Sequence, residues 1–210
     1  MKVLIDGENI IHSITYVLRH ADRIQDRSEL KAFDLIGLCR GALGSEDLDL
    51  FYYTTKLQAA SVLTHGQATA DKSKAIISWV AGWNTMLISQ GVNVVKAGRL
   101  KIRSTFPHPE TGEVQHVFQE KGVDVRLAID LVEAAEPGVT IVLFSSDSDL
   151  IPAIHAAKAK GARVKNLTSV KGFNKGLALT CGEWQIISDD SITAAFDRTA
   201  KGDRHGTVEA

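Results

Sequence analysis

Short apolar segments alternate with amphipathic ones along most of the chain. Apolar or β-branched runs typical of strands occupy 2–6, 47–57, 92–98, 139–144 and 162–167. The segments between them space their apolar residues as helices do, at 8–19, 28–44, 70–91, 121–136 and 149–161. Strands that alternate with helices in this way predict right-handed βαβ units and a mostly parallel α/β sheet covered on both faces.

Turn and capping signals set the boundaries of several elements. Ser28 is a candidate N-cap of the second helix, and Gly44 suits its end. Segment 99–120 holds two of the four prolines and the sequence PETG, which predicts a loop or a ragged hairpin. Segment 174–188 is expected to pack across the end of the sheet. We divide the chain into one domain at 1–188 and a C-terminal helix with a polar tail at 189–210.

Composition narrows the class of protein. With 210 residues, 44% hydrophobic and 23% charged, the chain suits one soluble α/β domain with a core of its own. The formal net charge of −1 means that attraction to nucleic acid must come from a local patch. Cys39 and Cys181 are far apart in sequence, which argues against a disulfide or zinc framework. No signal peptide or membrane-length apolar run is present, so we predict a cytoplasmic protein with no membrane contact.

Aspartates follow two of the predicted strands. Asp6 ends the first strand, and Asp147 and Asp149 lie in SSDSD, directly after the strand at 139–144. Asp124 begins the helix that leads into that strand. In open parallel sheets, ligands bind at the carboxyl ends of the strands, where strand order reverses. If the five predicted strands adopt the order 3-2-1-4-5, Asp6 and Asp147 become neighbours at that reversal.

Converging carboxylates favour a metal site over simple helix capping. Their mutual repulsion raises their pKa values unless a cation offsets the charge, and Mg²⁺ and Mn²⁺ prefer such oxygen ligands. These ions serve phosphoryl chemistry by activating water and bridging phosphate oxygens. Each acid taken alone could instead cap a helix or complement its dipole. Capping does not, however, require acids at the ends of the first and fourth strands together.

Other common catalytic motifs are missing from the sequence. It contains no G-x-G-x-x-G after the first strand, no G-x-x-x-x-G-K-[ST] and no G-x-S-x-G. The histidines are scattered, and His155 on an amphipathic helix is interpreted as structural. Dinucleotide binding, P-loop chemistry and a serine hydrolase triad are therefore not predicted.

Three segments together resemble one family. LIDGENI, KGVDVRLAIDL and LFSSDSDLIPAIHAAKAKG are similar, in the same order, to the motifs of the NYN domain family, in its LabA-like branch of the PIN-like nuclease superfamily. The resemblance covers about residues 1–188. It implies a PIN-like three-layer α/β/α sandwich with an acidic pocket that binds Mg²⁺ or Mn²⁺ and hydrolyses RNA.

The resemblance also implies roles for individual residues. The acids expected to bind metal and act in catalysis are Asp6, Asp124, Asp147 and Asp149. Asn9 is expected to orient a carboxylate or a substrate phosphate, and Asp130 either supports the site from behind or ties its helix to a neighbouring loop. Ser145, Ser146 and Ser148 either bind water or phosphate or only shape their loop. Many relatives carry Asp-x-Phe near the end of the domain; here Trp184 matches the aromatic position and Glu183 is one place off for the acid.

A basic stretch after the third strand is the candidate RNA contact. It contains Lys96, Arg99, Lys101 and Arg103 without an acid, and either holds a phosphate backbone or forms a solvated hairpin. Lys121 either approaches a phosphate or is a surface charge, and Phe106, His108 and His116 are candidates for stacking on unpaired bases. The predicted partner is single-stranded RNA, and a homodimer is left open. The alternatives to a ribonuclease are an inactive RNA-binding or regulatory module and a Mg²⁺-dependent small-nucleotide phosphohydrolase.

Overall fold

Six parallel strands form the main sheet of the protein, which we describe from a computed structural model covering residues 1–58, 60, 67–104 and 116–202. The strands are β1 Lys2–Asp6, β2 Asp49–Thr55, β3 Asn93–Ala97, β6 Thr140–Phe144, β7 Arg163–Ser169 and β8 Glu183–Ile187. Their order is β3-β2-β1-β6-β7-β8, and all neighbours pair in parallel. The first five parallel strands therefore follow the predicted 3-2-1-4-5 order, and the sheet reverses between β1 and β6.

A separate hairpin follows β3. Strands β4 Arg99–Ser104 and β5 His116–Lys121 pair antiparallel, from Arg99 opposite Lys121 to Ser104 opposite His116. The predicted loop or ragged hairpin is thus a two-stranded sheet over these residues. This hairpin returns the chain directly to the KGVD motif, and residue 120 therefore comes to lie close to residue 124.

Seven helices cover the sheet within the described part of the chain. They are α1 Gly7–His20, α2 Leu35–Leu43, α3 Gln67–Ser89, α4 Val123–Glu133, α5 Ile151–Ala159, α6 Lys175–Cys181 and α7 Asp189–Gly202. One core lies between the sheet and α1, α2, α3 and α7, and a second lies between the opposite face and α4, α5 and α6. Val3 and Ile5 of β1 face the first core and Leu4 the second, as strand geometry requires. The predicted three-layer α/β/α sandwich is confirmed, and none of the described helices is both long and apolar enough to cross a membrane.

Two predicted boundaries are wrong. Helix α2 begins at Leu35, not near Ser28, because the Asp34 carboxylate accepts a hydrogen bond from Gly37 N at 2.8 Å and caps it. Ser28 lies instead in a short 3₁₀ turn at Arg27–Glu29. Segment 174–188 does not cross the end of the sheet. Helix α6 ends at Cys181 and is capped by Gly182, whose φ of 89° is readily adopted by glycine, and β8 then adds a sixth strand beside β7.

Candidate active site

Asp6 is the most deeply buried acid at the carboxyl edge of the sheet. Its side chain caps α1 by accepting a hydrogen bond from Asn9 N at 3.1 Å, and its second oxygen accepts one from Ser145 Oγ at 2.9 Å. Burial raises the pKa of Asp6 to about 6, although both hydrogen bonds lower it, and Asp124 and Asp147 raise it further. Asp6 therefore combines the two roles that the sequence left open, since it caps a helix and also faces other carboxylates.

Gly7 allows α1 to start immediately after β1. A Cβ at this position would lie 2.7 Å from Tyr52 Cζ and would also collide with the backbone oxygen of Tyr53. A larger residue would push the start of α1 away from β2 and carry the Asp6 carboxylate with it. The glycine of the DGEN motif is thus explained by close packing against β2.

The SSDSD loop places Asp147 beside Asp6. Residues 141–144 of β6 pair with residues 2–5 of β1, so Ser145 follows at the level of Asp6. Ser145 Oγ also accepts a hydrogen bond from Asp147 N at 3.1 Å, and this hydroxyl therefore links the two acids. Asp147 in turn accepts a hydrogen bond from Asp149 N at 2.9 Å and caps the 3₁₀ turn at Ser148–Leu150. The helix α5 that follows starts after Leu150 without a side-chain cap, so Asp149 does not cap it.

Five carboxylates line one cavity of about 380 Å³, which we call the acidic cavity: Asp6, Glu8, Glu120, Asp124 and Asp147. Its other lining residues are Asn9, His12, Ser13, Lys171 and Gly172. The pKa of Asp124 is raised first by its own partial burial and then by Asp147 and Asp149, whereas Lys121 lowers it. Such an excess of acids favours bound protons or a bound cation.

Glu8 and Glu120 were missed by the sequence reasoning. Glu8, in the first turn of α1, accepts two hydrogen bonds from the Arg27 guanidinium, at 2.7 and 3.1 Å. Glu120 lies on β5, and burial raises its pKa to about 7, with further increases from Glu8, Asp6 and Asp124 and a decrease from Arg27. Glu8 falls inside DGEN and Glu120 directly precedes KGVD, so their proximity to the motifs was the available signal.

Lys171 and Gly172 bring a positive charge and a close backbone approach to the same cavity. Lys171 follows β7, and its Nζ lies 4.3 Å from the centroid of the Tyr16 ring. A Cβ at Gly172 would lie 2.5 Å from Ser146 Oγ and 3.3 Å from Ser13 Oγ, so glycine lets the backbone approach these hydroxyls. Ser146 does not line the acidic cavity, and its carbonyl accepts a hydrogen bond from Asn174 Nδ2 at 3.0 Å.

Several predicted residues lie outside the acidic cavity. Asp130 accepts a hydrogen bond from the Tyr53 hydroxyl at 2.8 Å and pairs with Arg126 at 2.8 Å, so it ties α4 to β2. Asp149 is exposed and lines a surface groove along α4, together with Asp124. Glu183 and Trp184 lie on the edge strand β8 and do not line the cavity.

The predicted basic stretch is also separate from the acidic cavity in the part of the chain that the structure describes. Lys96, Arg99 and Lys101 are exposed, and none of them lines this cavity. The side chains of Arg103 and His116, together with Phe106 and His108, lie outside the described residues. Lys121 is exposed but near enough to Asp124 to lower its pKa.

The acidic cavity suits a hard divalent cation, because five of its ten lining residues offer carboxylate oxygens and such cations prefer oxygen ligands. Over residues 1–58, 60, 67–104 and 116–202, no three His, Cys, Asp or Glu side chains are already grouped closely enough to hold an ion. An ion would therefore require side-chain rotation or water between itself and some of the carboxylates. Mg²⁺ commonly keeps several waters when it binds to proteins.

Comparisons with known proteins identify a family. The profile of the NYN domain matches residues 1–186. The comparison with curated proteins found no significant match. Among solved structures, the chain is similar to a phosphofructokinase-2 variant from Escherichia coli, with 16% identity and a TM-score of 0.33. That alignment covers 65% of this chain and 42% of the other.

Proposed function

The chain belongs to the NYN domain family, within the PIN-like nuclease superfamily, and on that premise we propose that it is a divalent-metal-dependent ribonuclease. The observation that carries this proposal is the acidic cavity, which five carboxylates line at the carboxyl edge of the sheet. The residues proposed for metal binding and catalysis are Asp6, Asp124 and Asp147. Asp149 is proposed to act from the rim, since it is exposed but raises the pKa of Asp124.

Electrostatics support a cation in this position. Asp6 is buried, with 5% of its surface exposed, and it has no cationic partner among its hydrogen bonds. Its acidic neighbours raise its pKa still further, so ionising Asp6 costs more in the folded protein than in the unfolded chain. A divalent ion would offset this repulsion, and when bound it would also lower the pKa of a water and neutralise charge on a phosphate.

The protein's own side chains would position the substrate and move protons. Lys171 is the cationic lining residue of the acidic cavity and would contact a phosphate oxygen. Asn9 lies at the same cavity and would orient a carboxylate or the phosphate. Burial raises the pKa of Glu120 to about 7, so this side chain can hold or release a proton near neutral pH. In-line attack by water at phosphorus, with breakage of the bond to the 3′ oxygen and transfer of a proton to that oxygen, would then leave 5′-phosphate and 3′-hydroxyl ends.

A cleavage assay tests this function directly. Labelled single-stranded RNA is incubated with the full chain and Mn²⁺ or Mg²⁺, with EDTA as one control and Asp147→Asn as another. The matched substitution Asp47→Asn alters an exposed acid at the opposite, amino edge of the sheet and should leave cleavage unchanged. Cleavage that persists in EDTA and in Asp147→Asn would contradict the proposal.

Two other outcomes identify the alternative functions. RNA binding without cleavage under all metals tested would indicate a regulatory NYN module that has lost turnover. Phosphate release from mononucleotides but not from RNA would indicate a small-nucleotide phosphohydrolase. Either result would replace ribonuclease activity as the function of the acidic cavity.

A further inference from the structure

A second cavity, of about 490 Å³, lies directly beside the acidic cavity. Its walls are aromatic and apolar, with side chains from β2, α3 and the β4–β5 hairpin; the aromatic members are Tyr52, Trp79, Trp83 and Phe118. We call it the aromatic cavity. Polar groups, including Thr54 and Thr55 at the end of β2, add hydrogen-bonding capacity to this apolar lining. Apolar walls with a few placed polar groups are typical of small-molecule sites.

The two cavities share a wall. Glu8 and Glu120 line both of them, so a group in the aromatic cavity is separated from the carboxylates by single side chains. Arg27 lies on the aromatic side of this wall, where it pairs with Glu8. A molecule with a phosphate in the acidic cavity can therefore place an adjoining group among the aromatic rings.

The aromatic cavity contains groups of the kind on which nucleobases stack. The Arg27 guanidinium lies 4.4 Å from the centroid of a Trp79 ring, and Trp79 stacks on Trp83 with a centroid distance of 5.7 Å and an interplanar angle of 12°. Unpaired RNA bases bind to aromatic rings and to guanidinium planes, whereas their edges form hydrogen bonds.

One buried polar atom in the cavity wall lacks a hydrogen bond. Trp83 is 2% exposed, and its indole N–H lies near the Tyr52 hydroxyl without reaching hydrogen-bond geometry to any described residue. The Tyr52 hydroxyl instead donates to the Gly7 carbonyl at 3.3 Å. A buried donor outside hydrogen-bond geometry is costly, and because this nitrogen is shielded from solvent, a base edge could reach it only after the Trp83 or Tyr52 side chain shifts.

We propose that the aromatic cavity binds one nucleobase of a single-stranded RNA whose neighbouring phosphate lies in the acidic cavity. The proposal rests on the ribonuclease function above and adds the position of a base. A nucleobase fits better than an apolar side chain of a protein partner, because the cavity combines flat rings with polar groups and opens beside a proposed phosphate site. It also explains how a chain with a net charge of −1 could hold RNA beside a cluster of acids.

The test compares two ligands of equal charge. A fluorescent single-stranded RNA and the same ribose-phosphate chain without bases are titrated with the full chain in Mg²⁺, in an Asp147→Asn background that suppresses cleavage. Base stacking contributes about 1–3 kcal/mol per base, so we expect Trp79→Leu to weaken RNA binding by about 5-fold to 150-fold. We expect no comparable change for the abasic chain. Trp79→Phe should retain most of the affinity, and Trp184→Leu, at an exposed tryptophan on β8, should leave both ligands unaffected.

The Trp79 indole also donates a hydrogen bond to the Leu30 carbonyl at 3.1 Å, so Trp79→Leu could fail to fold. Two further measurements test the proposal in that case. Phe118→Leu alters another wall of the cavity and should produce the same selective loss. In the Asp147→Asn chain with Trp79 and Trp83 intact, RNA should quench tryptophan emission more than the abasic chain does. Equal affinity for the two ligands, or an equal loss for both in the cavity variants, would overturn the proposal.

The outcomes separate this inference from the proposed function. Selective base binding without cleavage of RNA by the unmutated chain supports the nucleobase site and refutes the nuclease. Cleavage that is insensitive to Trp79→Leu and Phe118→Leu, together with unchanged RNA affinity, supports the nuclease and refutes the nucleobase site. If the aromatic cavity binds a partner protein instead of a base, Trp79→Leu and Phe118→Leu should likewise leave the affinity for RNA unchanged.

Discussion

Replacing Asp6 with asparagine should stabilise the free protein above about pH 6. Burial raises the pKa of Asp6 from 3.8 to about 6, so the unfolded chain loses this proton at lower pH than the folded chain. Stability is therefore unaffected below about pH 3.8, decreases as the pH rises towards 6, and remains reduced above it. Asparagine carries no charge and should remove this decrease.

The magnitude follows from the pKa change. A difference of about two pKa units corresponds to about 3 kcal/mol, since one unit is about 1.4 kcal/mol. Asparagine retains one oxygen to accept the hydrogen bond from Asn9 N, but its amide must donate to Ser145 Oγ, which donates to Asp6 in the unmutated chain. This exchange reduces the gain, and we expect a stabilisation of about 1–3 kcal/mol above pH 6, or about 2–10 °C in Tm.

The assay is chemical denaturation in EDTA at a series of pH values from about 3.5 to 8. The difference in unfolding free energy between Asp6→Asn and the unmutated chain should grow between about pH 4 and 6 and then become constant. Asp47→Asn, at an exposed position, serves as the matched control and should produce no such step. An Asp6→Asn variant that is less stable at every pH, or whose effect is independent of pH, would refute the reasoning.

Three further predictions test the surroundings of the site. Mn²⁺ should raise the Tm of the unmutated chain and of Asp47→Asn by mass action but have less effect on Asp147→Asn, and equal shifts in differential scanning fluorimetry would count against Asp147 as a ligand. Tyr53→Phe should cost about 1–3 kcal/mol in urea denaturation, because Asp130 loses its 2.8 Å hydrogen bond; an unchanged midpoint would show that this bond is not stabilising. Gly7→Ala should cost about 1–3 kcal/mol, since its Cβ would lie 2.7 Å from an aromatic carbon of β2, and unchanged stability in the same assay would indicate that the strands adjust.

Local patterns were sufficient to predict the central part of the sheet. The first five parallel strands are short apolar segments whose alternation with helices determines their direction, and the motif acids follow two of them. Because β1 and β6 are neighbours in register, Asp6 and Ser145 meet at the carboxyl edge, and Asp147 is held beside them. This part of the site depends on positions immediately after strands, which sequence periodicity can locate.

The missed features depend on contacts between distant segments. Glu120 reaches the acidic cavity because the β4–β5 hairpin brings the end of β5 close to Glu8 and Asp124, and nothing in the local sequence specifies that position. Asp34 was overlooked as the cap of α2 because Ser28 offers an equally good local signal. Asp34 also accepts a hydrogen bond from Arg198 of α7 at 2.7 Å, a contact between segments far apart in sequence. The strand β8 is only five residues long and follows α6 directly, and the sequence predicted that the whole segment 174–188 packs across the end of the sheet instead.

The shared wall between the two cavities links the chemistry of phosphate to the recognition of a base. Glu8 is paired with Arg27 in the free protein, and the same arginine covers a Trp79 ring. A cation in the acidic cavity would compete with Arg27 for Glu8, and an incoming phosphate would attract the released guanidinium. Glu8 lines both cavities and Arg27 lines the aromatic one, so this ion pair lies between the proposed phosphate site and the proposed base site.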